Sequence, residues 1–95
     1  MCIRDRNYIQ SRDYGDAFVH RTGHSIGEEV HGNGANIDNL ETHDTRPIIP
    51  RTCFSIEPGV YLPNFGVRSE IDCYVSETEA KPTGPVQTEI IRILD

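Results

Sequence analysis

Three of the four histidines of this chain lie close together in the segment HRTGHSIGEEVH, which also holds glycines and two adjacent glutamates. The four-residue interval between His20 and His24 puts both on one face of a helix, and equally on one face of a strand. Gly23 and Gly27 disfavour the helix by about 1 kcal/mol each relative to alanine, so a strand or bulged strand is predicted. Glycine also lets a backbone approach another group closely, which suits a metal or substrate site near His20, His24 and His31.

Two glutamates supply the acidic part of this candidate site. Alternation in TCFSIE puts Phe54 and Ile56 on one face and Cys53, Ser55 and Glu57 on the other. Alternation in GVRSEIDCYVS puts Glu70 opposite the apolar residues. The two turns in EPGVYLPNFG predict that the two runs are antiparallel neighbours. Glu57 and Glu70 then project to the same side, where they repel unless a cation or a proton lies between them. The alternative is a solvated face on which Arg68 pairs with both glutamates in a weak surface network.

Clustered histidines beside two carboxylates together favour a metal site over isolated structural residues. Imidazole nitrogen and carboxylate oxygen suit Mn, Fe, Co or Zn, and the donor set alone leaves the identity of the ion open.

Length, charge and cysteine content exclude several classes of protein. Ninety-five residues allow one modest core, or part of one, but not a two-domain enzyme. The net charge of -6, with nine scattered basic residues, argues against a nucleic-acid partner. No apolar run approaches the roughly 20 residues that span a bilayer, so no membrane association is expected. Three cysteines without C-x-x-C spacing favour reduced thiols in a cytoplasmic protein.

The elements that must position these residues are mostly strands. Residues 1–6, MCIRDR, lack periodicity and are interpreted as a non-native scar, so the native chain is taken as 7–95. Asn7 to Arg12 is predicted to end a helix that Gly15 caps. Strands are predicted in AFVHRT, TCFSIE, GVYL, GVRSEIDCYVS and VQTEIIRIL. A long loop, GNGANIDNLETHDTRPIIP, lies between the first two, and ETEAKPTGP is a polar turn before the last.

The motifs HRTGHSIGEEVH and FSIEPGVYLPNFGVRSEID, in this order, resemble the C-terminal half of the pita-bread metallopeptidases. The nearest members are Xaa-Pro aminopeptidase (aminopeptidase P) and prolidase, and the resemblance runs from about Tyr14 to Val75. It implies an α+β fold of the creatinase/aminopeptidase type: a curved antiparallel sheet with little helix in this part. Residues 7–95 would then be the C-terminal part of a catalytic domain whose upstream half is missing.

The resemblance also implies roles for individual residues. His24, Glu57 and Glu70 match metal ligands, with Glu70 bridging two divalent ions, Mn foremost and Co, Zn or Fe as alternatives. His20 and His31 match catalytic histidines that position the substrate and stabilise the intermediate. Glu57 is the usual proton shuttle of the family, so it is expected to be catalytic as well as a ligand.

The implied function is hydrolysis of Xaa-Pro peptide bonds by a dinuclear metal-dependent exopeptidase. Its partner is a peptide substrate with proline at the second position, and the parent protein is expected to be a homo-oligomer. Two aspartate ligands of the family have no match in this sequence, so the fragment alone is expected to be inactive. The alternatives are an enzyme of the methionine aminopeptidase type and a metal-free, non-catalytic creatinase-like module.

Overall fold

The computed structural model describes residues 4–94, which form one α-helix, one short 3-10 helix and six strands. The bounds are α1 Arg4–Ser11, the 3-10 helix Gly15–Ala17, β1 Ser25–Ile26, β2 Thr52–Ile56, β3 Gly59–Tyr61, β4 Gly66–Arg68, β5 Ile71–Val75 and β6 Ala80–Pro82. The predominance of short strands over helix agrees with the pattern expected from the sequence. No helix within these residues has the length and apolar character needed to cross a membrane.

Helix α1 ends in a hydrogen-bonded turn centred on Asp13, not at Gly15 as predicted. Asp13 has a φ of 65°, its N–H donates to the Gln10 carbonyl at 3.0 Å, and the Tyr14 N–H donates to the Ile9 carbonyl at 3.2 Å. This is the pairing of a Schellman motif, in which aspartate tolerates the left-handed conformation better than most residues. The helix begins inside the MCIRDR hexamer, whose first three residues lie outside the described part of the chain.

The main sheet has the order β1-β2-β5-β6, and all of its pairs are antiparallel. The predicted pairing of β2 with β5 is confirmed, with Phe54 opposite Cys73 and Ser55 opposite Asp72. Because side chains alternate along each strand, Phe54 and Cys73 share one face and Ser55 lies on the other. The second face carries the candidate site.

A second, two-stranded sheet interrupts the run that the sequence predicted as one continuous strand, GVRSEIDCYVS. β3 pairs with β4 in a hairpin that places Gly59 opposite Arg68. The chain leaves this hairpin at Ser69, whose N–H donates to the Pro58 carbonyl at 3.1 Å. The period of two therefore breaks before Glu70, and the position of that side chain depends on the corner and not on strand alternation.

Two of the predicted strands are wrong. In residues 17–22, AFVHRT, no strand forms: Ala17 ends the 3-10 helix and residues 18–22 are irregular, with bends at His20 and Thr22, although Phe18 in this run is buried. Residues 86–94, VQTEIIRIL, form neither strand nor helix, and Ile90, Ile91, Ile93 and Leu94 are 75–90% exposed. A strand instead forms at β6, in the predicted polar turn, because β5 offers an edge for it to pair with. β-propensity alone does not make a strand without such a neighbour.

The interior around the sheet is more polar than apolar. Among the residues described, the buried hydrophobic ones are Phe18, Ile37 and Cys73, and the buried polar or charged ones are Thr22, His24, Ser25, Asp38, Asp44, Ser55 and Glu57. Buried polar groups are stable only when hydrogen-bonded. Hydrogen bonds therefore contribute much of the stability of this part of the fold.

Candidate metal and catalytic site

His24 is held at the start of the pairing between β1 and β2. Its backbone N–H donates to the Ser55 hydroxyl at 3.0 Å, and its carbonyl accepts the Ser55 N–H at 2.9 Å. Its Nδ1 lies 2.9 Å from the Ser25 carbonyl, which can only accept, so Nδ1 carries the proton. Nε2 then faces Glu57 Oε1 at 3.2 Å.

Gly23 allows the close approach that the sequence predicted for a glycine beside a histidine. A Cβ built at this residue would lie 2.7 Å from the carbonyl carbon of Ser55, and closer still to its oxygen. Real Cβ atoms essentially never come so near to backbone. Only glycine at this position therefore brings the His24 segment against β2.

Glu57 follows β2 directly and is buried, with 7% of its surface exposed. Its N–H donates to the Thr22 carbonyl at 2.6 Å, and its Oε1 accepts a hydrogen bond from the Ser55 hydroxyl at 3.2 Å. Its Oε2 accepts a hydrogen bond from the guanidinium of Arg68. Both carboxylate oxygens thus have partners.

Glu70 approaches the same guanidinium from the solvent side. Its Oε2 lies 3.6 Å from Arg68 Nη2, and its side chain is 51% exposed. Glu57 and Glu70 therefore lie on the same side, with a cation between them as electrostatics requires. In this structure the cation is Arg68, which the sequence had offered as the alternative to a metal.

The two remaining histidines occupy different surroundings. The His31 ring contacts the His24 ring edge-on, with 4.4 Å between centroids. His20 Nε2 lies 2.8 Å from the Tyr61 hydroxyl, and its Nδ1 lies 2.8 Å from the Arg21 carbonyl. Because that carbonyl only accepts, Nδ1 is the donor, and Nε2 in the neutral ring accepts from Tyr61. Sequence reasoning missed Tyr61, although it stands only two residues after Gly59 in the run EPGVY.

A buried carboxylate outside the predicted site fixes the segment that carries these histidines. Asp38, 2% exposed, accepts hydrogen bonds from the Thr22 N–H at 2.8 Å, the Thr22 hydroxyl at 2.9 Å and Arg6 at 3.0 Å. Burial raises the pKa of Asp38, but hydrogen bonds from Leu40, Thr22 and Arg6 outweigh it and hold the pKa below its usual value. Arg6 also donates to the His20 carbonyl at 2.6 Å.

A second carboxylate closes the long loop. Both oxygens of Asp44 accept from Arg46, at 2.9 Å and 2.7 Å, and one of them accepts the Asn36 N–H at 2.9 Å. These bonds, Arg46 first, hold the pKa of Asp44 well below its usual range. Arg46 also donates to the Asn33 carbonyl at 2.6 Å. These hydrogen bonds join the middle of the long loop to its beginning, just beyond His31.

The donors present fit part of a divalent metal site. His24 Nε2 and Glu57 Oε1 are two acceptors aimed at each other, an arrangement that needs a proton or a cation between them. A histidine that donates from Nδ1 to a carbonyl and offers Nε2 is oriented as metal ligands usually are. Within residues 4–94, however, no three or more His, Cys, Asp or Glu side chains are gathered closely enough to hold a metal ion. The donor set is therefore suitable but incomplete.

An imidazole that faces a buried carboxylate beside an antiparallel sheet provides donor types common in metal-dependent hydrolases. Residues 4–77 match the model of metallopeptidase family M24, and the chain belongs to this family. Over 71 residues it is 44% identical to an Xaa-Pro dipeptidase of Lactobacillus delbrueckii subsp. lactis, a match that covers 74% of this chain and 18% of that protein.

Solved structures agree with this assignment. Dipeptidase PepE from Mycobacterium ulcerans superimposes with a TM-score of 0.79 at 31% identity, covering 94% of this chain and 23% of that one. An X-Pro aminopeptidase from Thermotoga maritima gives 0.76 at 33% identity, covering 88% and 23%. The expected resemblance and the expected α+β pita-bread fold are confirmed. The chain spans about a fifth of the length of the relatives it matches.

Proposed function

We propose that this chain is the C-terminal part of the catalytic domain of a metal-dependent exopeptidase that hydrolyses Xaa-Pro peptide bonds. The observation that carries the proposal is the opposition of His24 Nε2 and Glu57 Oε1 at 3.2 Å. The names of the relatives favour the proline-specific branch over an enzyme of the methionine aminopeptidase type. The substrate is then a peptide with proline at its second position.

In the parent protein His24, Glu57 and Glu70 would hold two divalent metal ions, with Mn foremost and Co, Zn or Fe as alternatives. When bound, such ions lower the pKa of water and stabilise the oxyanion that develops on the scissile carbonyl. Two ions carry a charge of +4 and these glutamates supply -2, so further carboxylates are required. The isolated fragment is accordingly proposed to be inactive.

The side chains around the ligands have separate tasks. His20 and His31 hydrogen-bond the substrate carbonyl and the charge that develops on it, and Tyr61 fixes the ring of His20. Glu57 moves the proton from the attacking water to the leaving amine. Its burial and its two fixed oxygens keep that carboxylate in one orientation.

The wider organisation of the parent stays a prediction. Residues 7–95 are taken as native, residues 1–6 as a non-native scar, and the protein as a cytoplasmic homo-oligomer. Free thiols at Cys53 and Cys73 support a reducing compartment. Genomic DNA upstream of Asn7 tests the boundary, because it should encode two aspartates on a β-prone segment. If the DNA directly before Asn7 encodes the same hexamer, residues 1–6 are native, and the two aspartates are then expected further upstream.

The deciding experiment uses the full-length parent, stripped of metal and reloaded with Mn. Elemental analysis should find bound Mn, and peptides with proline at the second position should be hydrolysed. His24→Ala should weaken Mn binding, and Glu57→Gln should lower kcat by about 10²–10⁴-fold. His43→Ala, in the long loop, is the matched control and should change neither. A wild-type protein that binds no Mn contradicts the proposal.

A metal-free module is the second candidate, and the position of Arg68 favours it. Its guanidinium already supplies a cation to both glutamates. In such a module Mn would be absent from the purified full-length protein, and Arg68 would stay paired. The same elemental analysis therefore separates the two functions.

A further inference from the structure

Ser55 carries a fully buried hydroxyl between the two principal groups of the site. It lies in β2 with 0% of its surface exposed, two residues before Glu57. Its Oγ lies 3.0 Å from the His24 backbone nitrogen and 3.2 Å from Glu57 Oε1. One side chain thus contacts both the backbone of the histidine and the carboxylate of the glutamate.

The direction of each of these hydrogen bonds is fixed by chemistry. The His24 N–H can only donate, so Oγ accepts there, and the single hydroxyl proton of Ser55 goes to Glu57. A hydroxyl that accepts one bond and donates another is polarised by the first, which strengthens the second. The second bond also ends on a carboxylate, the stronger type of acceptor.

Hydrogen bonds fix the main chain on both sides of this hydroxyl. The Ser55 N–H donates to the His24 carbonyl at 2.9 Å, and the Glu57 N–H donates to the Thr22 carbonyl at 2.6 Å. With the main chain held on both sides, the orientation of the Glu57 carboxylate depends on what its oxygens contact. Ser55 holds Oε1 toward His24, and this leaves Oε2 directed to the side of Arg68 and Glu70.

We infer that Ser55 is a positioning residue, whose hydroxyl sets the carboxylate of Glu57 relative to the imidazole of His24 and thereby sets the affinity of the site for metal. It acts through Glu57 and touches neither substrate nor ion. The inference rests on the proposed function, since it concerns how the proposed ligands are oriented. Partners that orient ligands in this way typically change metal affinity or activity by about 10–100-fold when they are removed.

The test compares variants of the full-length parent in Mn titrations without substrate and in steady-state kinetics. Ser55→Ala should weaken Mn binding by about 10–100-fold, with KM at saturating Mn within about threefold of wild type. Ser55→Cys keeps the shape but donates weakly, so it should lose affinity in the same direction. It also serves if the alanine variant does not fold.

Cys73→Ala is the matched control for general destabilisation. Cys73 is buried beside Phe54 on the opposite face of the same strand pair, so its truncation should lower the melting temperature and leave Mn affinity unchanged. Wild-type Mn affinity in both Ser55 variants overturns the inference, as does an equal loss in Cys73→Ala. A wild-type parent without Mn overturns the proposed function instead, and the inference with it.

Discussion

Replacing Gly23 by alanine should separate β1 from β2 and disorganise the site. The new Cβ would lie 2.7 Å from the Ser55 carbonyl carbon, whereas ordinary contact begins at 3.4 Å. Clearing the carbon alone needs an opening of about 0.7 Å, and clearing the oxygen needs more; either stretches both His24–Ser55 hydrogen bonds, now 2.9 Å and 3.0 Å, beyond useful length. Each lost bond costs about 0.5–1.5 kcal/mol and the overpacking about 1–3 kcal/mol. The expected loss of unfolding free energy is therefore about 2–6 kcal/mol.

Gly27→Ala provides the control for this prediction. A Cβ there meets only Gly32 Cα, at 3.7 Å, and the residue has no positive φ. Alanine should therefore be neutral or stabilise by about 0.4–1 kcal/mol, because it restricts the unfolded chain. Denaturant unfolding of the metal-free full-length protein measures both variants, and Mn titration should show weaker binding for Gly23→Ala alone. Equal stability of the two variants would refute the close-approach argument.

Three further results are expected. Asp38→Asn should destabilise the metal-free parent by about 1–3 kcal/mol at pH 7. Because the folded-state pKa of Asp38 is lowered, this contribution is present above about pH 4 and lost on acidification, so denaturation at pH 3 should show a smaller difference, and an undiminished one would argue against it. Arg68→Gln should raise Mn affinity about two- to fivefold by removing a competing cation from Glu57 and Glu70; calorimetric titration measures this, and weaker binding would contradict it. The 95-residue chain alone should hydrolyse no Xaa-Pro peptide and melt without a cooperative transition; turnover or a sharp monomeric melt would disprove this.

Local pattern was sufficient for the features that depend on neighbours along the chain. Alternation in TCFSIE placed Ser55 and Glu57 on one face, and the structure pairs this strand with β5 as expected. Glycine beside histidine predicted a close backbone approach, which Gly23 makes against Ser55. Both predictions depend on side-chain direction and chain flexibility, which a short stretch of sequence determines.

Features set by distant partners could not be found in this way. The break before Glu70 depends on the Pro58 carbonyl receiving the Ser69 N–H, and nothing in GVRSEIDCYVS itself marks it. The Asp38 contact with Thr22 joins residues that are 16 positions apart along the chain. VQTEIIRIL has strong strand propensity, yet within the described part of the chain it pairs with no strand.

The polar interior has a thermodynamic consequence. The heat capacity change of unfolding grows with the apolar surface exposed and falls with the polar surface exposed. With Phe18, Ile37 and Cys73 as its buried hydrophobic residues, the described region should add little to that change, so its own stability curve against temperature should be shallow. Solutes that compete for hydrogen bonds, such as urea, should then loosen the His24–Ser55–Glu57 connection more readily than cooling does.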